Sequence, residues 1–193
     1  MRLFLAIFPS KEFRDYYREV FRTFAKEKRN LKPINFEQIH LTLRFIGGDV
    51  SDHSKNQIIN ELRSRAGSYP KPTIEMESLN FGFPRQHDPR ILFATIKGNS
   101  ELEDLIDQTY KLVRQLRRRD TITWKQNMDD HYHMTLARLK PAATRSTGRD
   151  VKEILSSIDL PFPTPFVAEE MYVMQSTITP RGPVYSKLER IEL

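Results

Sequence analysis

A chain of 193 residues, 38% hydrophobic and 10% aromatic, can bury one sizeable core but is short for two independent domains, and it holds no apolar run long enough to span a membrane. Zero cysteines exclude disulfides, thiolate nucleophiles and cysteine-based metal sites, and with 7 glycines there is neither a dinucleotide-binding fingerprint nor a Walker phosphate loop. A net charge of +6 leans toward polyanionic partners such as nucleic acid, and the whole composition fits a reducing, cytoplasmic setting with no membrane contact.

Residues 2–8 (RLFLAIF) form an apolar run stopped by Pro9, which predicts a buried strand rather than a secretory signal. Ser10 then caps a helix whose apolar stripe is Phe13, Tyr16, Tyr17, Val20, Phe21 and Phe24. After a loop comes a short strand carrying His40-Leu41-Thr42-Leu43. A helix follows, capped near Ser51 or Asp52, with Ile58, Ile59 and Leu62 on its apolar side, and then an alternating strand over 73–79. Residues 80–89 read as a surface loop.

Residues 90–96 (RILFATI) repeat the first strand, and Ser100 with Glu103 forms a capping box before a stripe of Leu102, Leu105, Ile106, Leu112, Val113 and Leu116. A second short strand carries His133-Met134-Thr135-Leu136. A loop over 140–149, a helix capped near Ser146 or Thr147 with Val151, Ile154, Leu155 and Ile158, and a strand over 166–174 complete the second pass. A turn at Thr179-Pro180-Arg181-Gly182-Pro183 leads into a last strand over 184–191, as in a hairpin.

The order strand, helix, His-strand, helix, strand thus occurs twice, with the two histidines 93 residues apart. This predicts an α+β protein of two similar lobes built by internal duplication, with antiparallel or mixed sheets and flanking helices. It is read as one bilobal domain over 1–193, with repeats roughly 1–79 and 90–174 plus a C-terminal strand.

Alternation on a strand puts His40 and Thr42 on one face, backed by apolar Leu41 and Leu43, and does the same for His133 and Thr135. Either motif alone is matched by a half-buried strand whose His and Thr merely bond each other. Two copies among 5 histidines have a chance of order one in a few thousand. Two imidazoles suit in-line displacement at phosphorus, one taking a proton from the attacking oxygen and the other giving one to the leaving oxygen. Threonine hydroxyls beside them suit the non-bridging oxygens, and no metal or other cofactor is needed.

In these features the sequence resembles the two-histidine phosphoesterases, and within them the bacterial and archaeal RNA 2′,3′-cyclic phosphodiesterases formerly called 2′-5′ RNA ligases. The resemblance rests on RLFLAIFP, HLTLRFIG, FGFPR, HMTLARLK and the C-terminal SxxTPRGPVY, in that order along nearly the whole chain. Two departures are visible: Tyr132 precedes the second motif where such proteins commonly have Pro, and Phe93 stands where many carry Trp. The resemblance implies a bilobal α+β fold with pseudo-twofold symmetry and an active site in the groove between the lobes, and hydrolysis of an RNA 2′,3′-cyclic phosphate end to a 2′-phosphate, with a reversible 2′-5′ joining to a 5′-hydroxyl, without ATP. The implied partner is RNA with such an end, tRNA fragments included, bound by a monomer with no obligate protein partner. Carried over to this chain, His40 is the acid for the 3′-oxygen and His133 the base for water, roles that could be exchanged, while Thr42 and Thr135 grip the phosphate.

Phe45 and Arg138 stand five residues after the two histidines, and an aromatic ring facing a guanidinium would sandwich a nucleobase. Strict alternation places both on the apolar face, so this reading needs a strand end or a bulge there. Phosphate binding is the competing role for Arg138, and core packing for Phe45. A His131-x-His133 metal site with Asp129 or Asp130 is set aside, since the duplicated motif already accounts for His133. Lys111, Arg114, Arg117, Arg118 and Arg119 read as a solvated basic helix face, Trp124 as packing, and His53 and His87 as exposed. Two other functions fit the same residues: a non-catalytic RNA-binding module, and a phosphodiesterase for another small cyclic phosphate.

Overall fold

A computed structural model describes residues 1–24, 30–83, 86–117, 132–143, 145–180 and 182–193. Strand β1 (Arg2–Ile7) is followed by helix α1 (Lys11–Thr23), whose N-cap is Ser10, its hydroxyl accepting from the Phe13 N–H at 3.4 Å. A short strand β2 (Leu31–Pro33) and a single 3-10 turn (Phe36–Gln38) lead into β3 (Leu41–Gly47). Helix α2 (Asp52–Ser64), capped by Ser51, precedes β4 (Thr73–Ile74) and β5 (Met76–Phe81).

The second half runs β6 (Ile91–Ile96), α3 (Ser100–Arg117), β7 (His133–Leu139), α4 (Arg145–Ser156), β8 (Phe166–Val167) and β9 (Glu170–Thr179), and β10 (Gly182–Glu192) closes the hairpin. The start of α3 departs from the capping-box reading. Asn99 caps it, its side-chain oxygen accepting from the Leu102 N–H at 2.9 Å, so Ser100 is already the first helical residue. The two long strands expected over 73–79 and 166–174 are each broken near the start, because their first two residues pair with each other in a separate two-stranded sheet, β4 against β8.

All described ladders are antiparallel, and the main sheet has the order β10-β9-β1-β3-β7-β6-β5, with β2 added beside β7. β3 and β7 meet through one pair, Leu41 opposite Met134, the residues that follow the two motif histidines. Equivalent residues facing each other across an antiparallel pair are related by a local twofold. The last long strand of each half crosses over: β5 pairs with β6, and β9 pairs with β1.

One face of the sheet carries the main core, in which Leu3, Leu5, Leu41, Met134, Leu136 and Val173 meet Phe13, Val20, Leu62, Leu102, Leu105 and Val151 of the helices. Each such side chain contributes about 1.5–3 kcal/mol by leaving water. The opposite face is open and carries a small cluster of Phe4, Ala6 and Met174, with Phe8, Phe45, Tyr172 and Tyr185 packed around it. Among the described residues no helix is long and apolar enough to cross a membrane.

Candidate active site

Both histidines sit where their strands begin at the seam. The 3-10 turn ahead of β3 is held by Asn35, whose side chain accepts from the Glu37 N–H at 3.1 Å, and by the Ile39 N–H donating to the Phe36 carbonyl at 3.0 Å. This turn presents the Gln38 carbonyl to His40 Nδ1 at 2.7 Å. A carbonyl can only accept, so Nδ1 carries the hydrogen and Nε2 of the neutral ring is left as the proton acceptor. The ring is packed against Phe4 and the edge of Tyr185, both at 5.0 Å, with Phe8 at 6.2 Å. Burial among these rings pushes the His40 imidazole below its ordinary pKa; the Gln38 carbonyl opposes this, and electrostatic interaction with His133 and with the Arg138 guanidinium reinforces it.

His133 opens β7 opposite Thr95 and is flanked by the edges of Phe83 at 5.0 Å and Phe93 at 5.5 Å, rings that stack on each other at 4.7 Å. The sequence therefore surrounds each imidazole with two or three aromatic rings. His40, Thr42, His133, Thr135 and Arg138 all line one cleft of about 430 Å³ on the open face. That volume suits a small organic anion or nucleotide end.

Of the two departures from alternation that the Phe45–Arg138 reading allowed, a strand end or a bulge, bulges are present in both strands. Ala137 pairs with Leu92 and Thr135 with Phe93, so Leu136 is an extra residue; in β3, Arg44 pairs with Leu5 and Thr42 with Ala6, so Leu43 is its counterpart. Both fall three residues after a motif histidine, and each resets the alternation. Arg138 is thereby returned to the cleft. Phe45 also reaches the open face, yet it lies outside the cleft lining, opposite Phe4 and under the Arg2 guanidinium at 4.5 Å. The structure brings five of the six candidate residues together and leaves Phe45 aside.

Other cleft residues carry no sequence motif of their own. Lys32 lies opposite Arg138 on the neighbouring strand, placing two cations on one wall, and Asn35 and Gln38 belong to the 3-10 turn. Gly182, Pro183 and Tyr185 of β10 form the facing wall. These last three belong to the SxxTPRGPVY segment, so the resemblance marked the region, whereas Lys32 could be found only once β2 was known to pair with β7. Lys111 is ion-paired with Asp107, and Arg114 lies over Tyr110 at 5.9 Å, a solvated helix face as expected. His53 and His87 are exposed. Arg118, Arg119, Trp124, Asp129, Asp130, His131 and Arg181 lie outside the described residues.

The family model of the LigT-like phosphoesterases matches residues 7–93. Over those residues, somewhat under half of its length, the chain is similar to that family. A Thermus thermophilus protein named RNA 2′,3′-cyclic phosphodiesterase is 28% identical over all of this chain and 90% of its own length. A protein of the same name from Thermotoga maritima is 23% identical over 97% of this chain and 93% of its own. Among solved structures, the crystal structure of a Thermus thermophilus protein matches with a TM-score of 0.75 and 25% identity, over all of this chain and 98% of that one. The structure of Escherichia coli LigT complexed with 3′-AMP shares the fold, with a TM-score of 0.64 and 20% identity over all of this chain and 96% of that one.

Proposed function

We propose that this protein hydrolyses 2′,3′-cyclic phosphate ends of RNA to 2′-phosphates with His40 and His133 as the acid–base pair. The observation that carries the reading is the convergence of both His-x-Thr motifs on one cleft, about a seam where Leu41 faces Met134. The names of the relatives supply the substrate class.

In this reading His133 takes a proton from water as the water oxygen bonds to phosphorus. The bond from phosphorus to the 3′-oxygen breaks in line, and His40 gives its proton to that oxygen. Thr42 and Thr135 donate hydrogen bonds to the non-bridging oxygens, and Arg138 offsets their charge. Burial lowers the His40 pKa and so favours the neutral ring in the free protein. A phosphate anion in the cleft favours the charged ring, so His40 takes up its proton together with substrate, and an imidazolium held among aromatic rings gives that proton up readily. With a 5′-hydroxyl in place of water the same displacement joins RNA through a 2′-5′ bond: His133 takes the proton of the 5′-hydroxyl, the bond to the 3′-oxygen breaks and His40 protonates it; the reverse, attack of the 3′-hydroxyl on that 2′-5′ bond, exchanges the roles.

None of these steps calls for a metal or ATP. The absence of cysteine agrees with a cytoplasmic location, and we read the chain as one bilobal domain acting as a monomer, tRNA fragments being among the RNAs it would meet. The exchange of β5 and β9 between the halves supports the single domain.

The test is turnover of an oligoribonucleotide ending in a 2′,3′-cyclic phosphate, with EDTA present. We expect a 2′-phosphate product, and a loss of roughly 10²–10⁴ in kcat for both His40→Ala and His133→Ala. A folded parent protein that gives no product, or variants as active as the parent, would overturn the reading.

A further inference from the structure

Away from the cleft, the open face of β10, β9, β1 and β3 continues as a surface of rings and cations that the reaction above does not use. The ladder fixes which side chains share it. Tyr185 is opposite Ser176, which pairs with Arg2; Lys187 is opposite Met174, which pairs with Phe4, itself opposite Phe45. Arg2 lies over the Phe45 ring at 4.5 Å, and the Lys187 ammonium lies 3.9 Å from the Phe8 ring and 4.1 Å from that of Tyr172. Both cations remain exposed.

This surface is continuous with the cleft, because Phe8 and Tyr185 touch both the His40 ring and its own rings. Its carboxylates are Glu170 and Glu192, and Glu170 is already engaged by Arg190 and the Tyr172 hydroxyl. From Arg2 to Phe8 the face runs about 20 Å along β1, room for a few nucleotides. A cation held against a ring is pre-positioned and partly dehydrated, which suits a phosphate alternating with a stacked base.

Resting on the RNA-end reading of the cleft, we propose that this face binds the single-stranded RNA leading up to the reacting end. Arg2 and Lys187 neutralise its phosphates, and Phe8, Phe45 and Tyr172 carry its bases. The face is a track for strand length, separate from the chemistry at the cleft.

The experiment compares the cyclic mononucleotide with an octamer ending in the same cyclic phosphate, for the parent, R2Q/K187Q and the charge-keeping R2K/K187R. We expect kcat/KM for the octamer to exceed that for the mononucleotide by about tenfold in the parent. The ratio should collapse in R2Q/K187Q, return in R2K/K187R, and lose salt dependence by a slope of about 1.4, or about 0.7 per phosphate contact. Equal values for both substrates in the parent, or an unchanged ratio in R2Q/K187Q, would overturn the track. Fluorescence anisotropy of the octamer separates the two readings. Weaker binding by R2Q/K187Q, with no turnover of either substrate by the parent, supports the track and refutes the reaction; turnover without length dependence does the reverse.

Discussion

Truncating Leu41 to Ala tests whether the seam between the half-sheets sets the geometry of the cleft. Leu41 is 1% exposed, lies between His40 and Thr42 in sequence, and forms the only pair that joins β3 to β7 among the described residues. Removing a buried Leu side chain of this kind costs about 2–5 kcal/mol in lost transfer energy and cavity. For a chain of this size, about 3 kcal/mol lowers the melting midpoint by roughly 6–12 °C. Leu62, fully buried in α2, is the control, since Leu62→Ala removes the same atoms far from the seam. Both variants should melt early. Below their midpoints only Leu41→Ala should lose turnover of a cyclic-phosphate RNA, by about a hundredfold, the effect of moving reacting groups by about 1 Å. Thermal melts with single-turnover kinetics on both proteins provide the measurement. If the two variants lose stability alike and keep equal activity, the seam does not position the histidines.

The buried His40 also makes stability depend on pH. Its folded pKa lies below 6.5, so below that pH the unfolded chain binds more protons, and stability that is complete above 6.5 is lost as the pH falls through the folded value. Melts of the parent and His40→Asn over this window should diverge; parallel curves would count against a buried neutral ring. Arg138→Gln should lower kcat/KM by about tenfold through KM more than kcat, and an unchanged KM would remove Arg138 from phosphate binding. Gly82 has φ +82°, and a Cβ there would lie 2.2 Å from that of Pro89, so Gly82→Ala should destabilise by about 1–3 kcal/mol and disturb Phe83 against His133. An unaltered melting midpoint would refute that strain.

Much of the fold was legible because the information was local. Pro9, the Ser10 and Ser51 caps, and the 3.6-residue stripes of α1 and α3 define those elements within a few residues. The motif strands were legible because alternation and repetition agreed. Pairing partners were not: nothing in residues 76–81 says that they will lie beside β6 rather than β1, since periodicity reports a face and not a neighbour. The same limit hid β2, three residues whose role is to set Lys32 beside Arg138. The motif histidines and threonines were readable from spacing, but the fate of position five after each histidine depended on bulges at Leu43 and Leu136. Each bulge is visible only against its partner strand, where it turned Arg138 into the cleft and Phe45 onto the adjoining face.

The exchange of strands also governs the order in which the molecule can be completed during synthesis. β1 gains β3 early, but its other edge waits for β9, and Arg2 finds Ser176 only after most of the chain has been made. Until then an apolar strand with five consecutive buried residues presents an unpaired edge, the kind of surface that recruits a second nascent chain. Contacts so distant in sequence slow the final docking step. A ribosome paused before residue 170 would therefore carry a first lobe with an unfinished sheet, and occupancy of that edge by a holdase chaperone should end when β9 emerges.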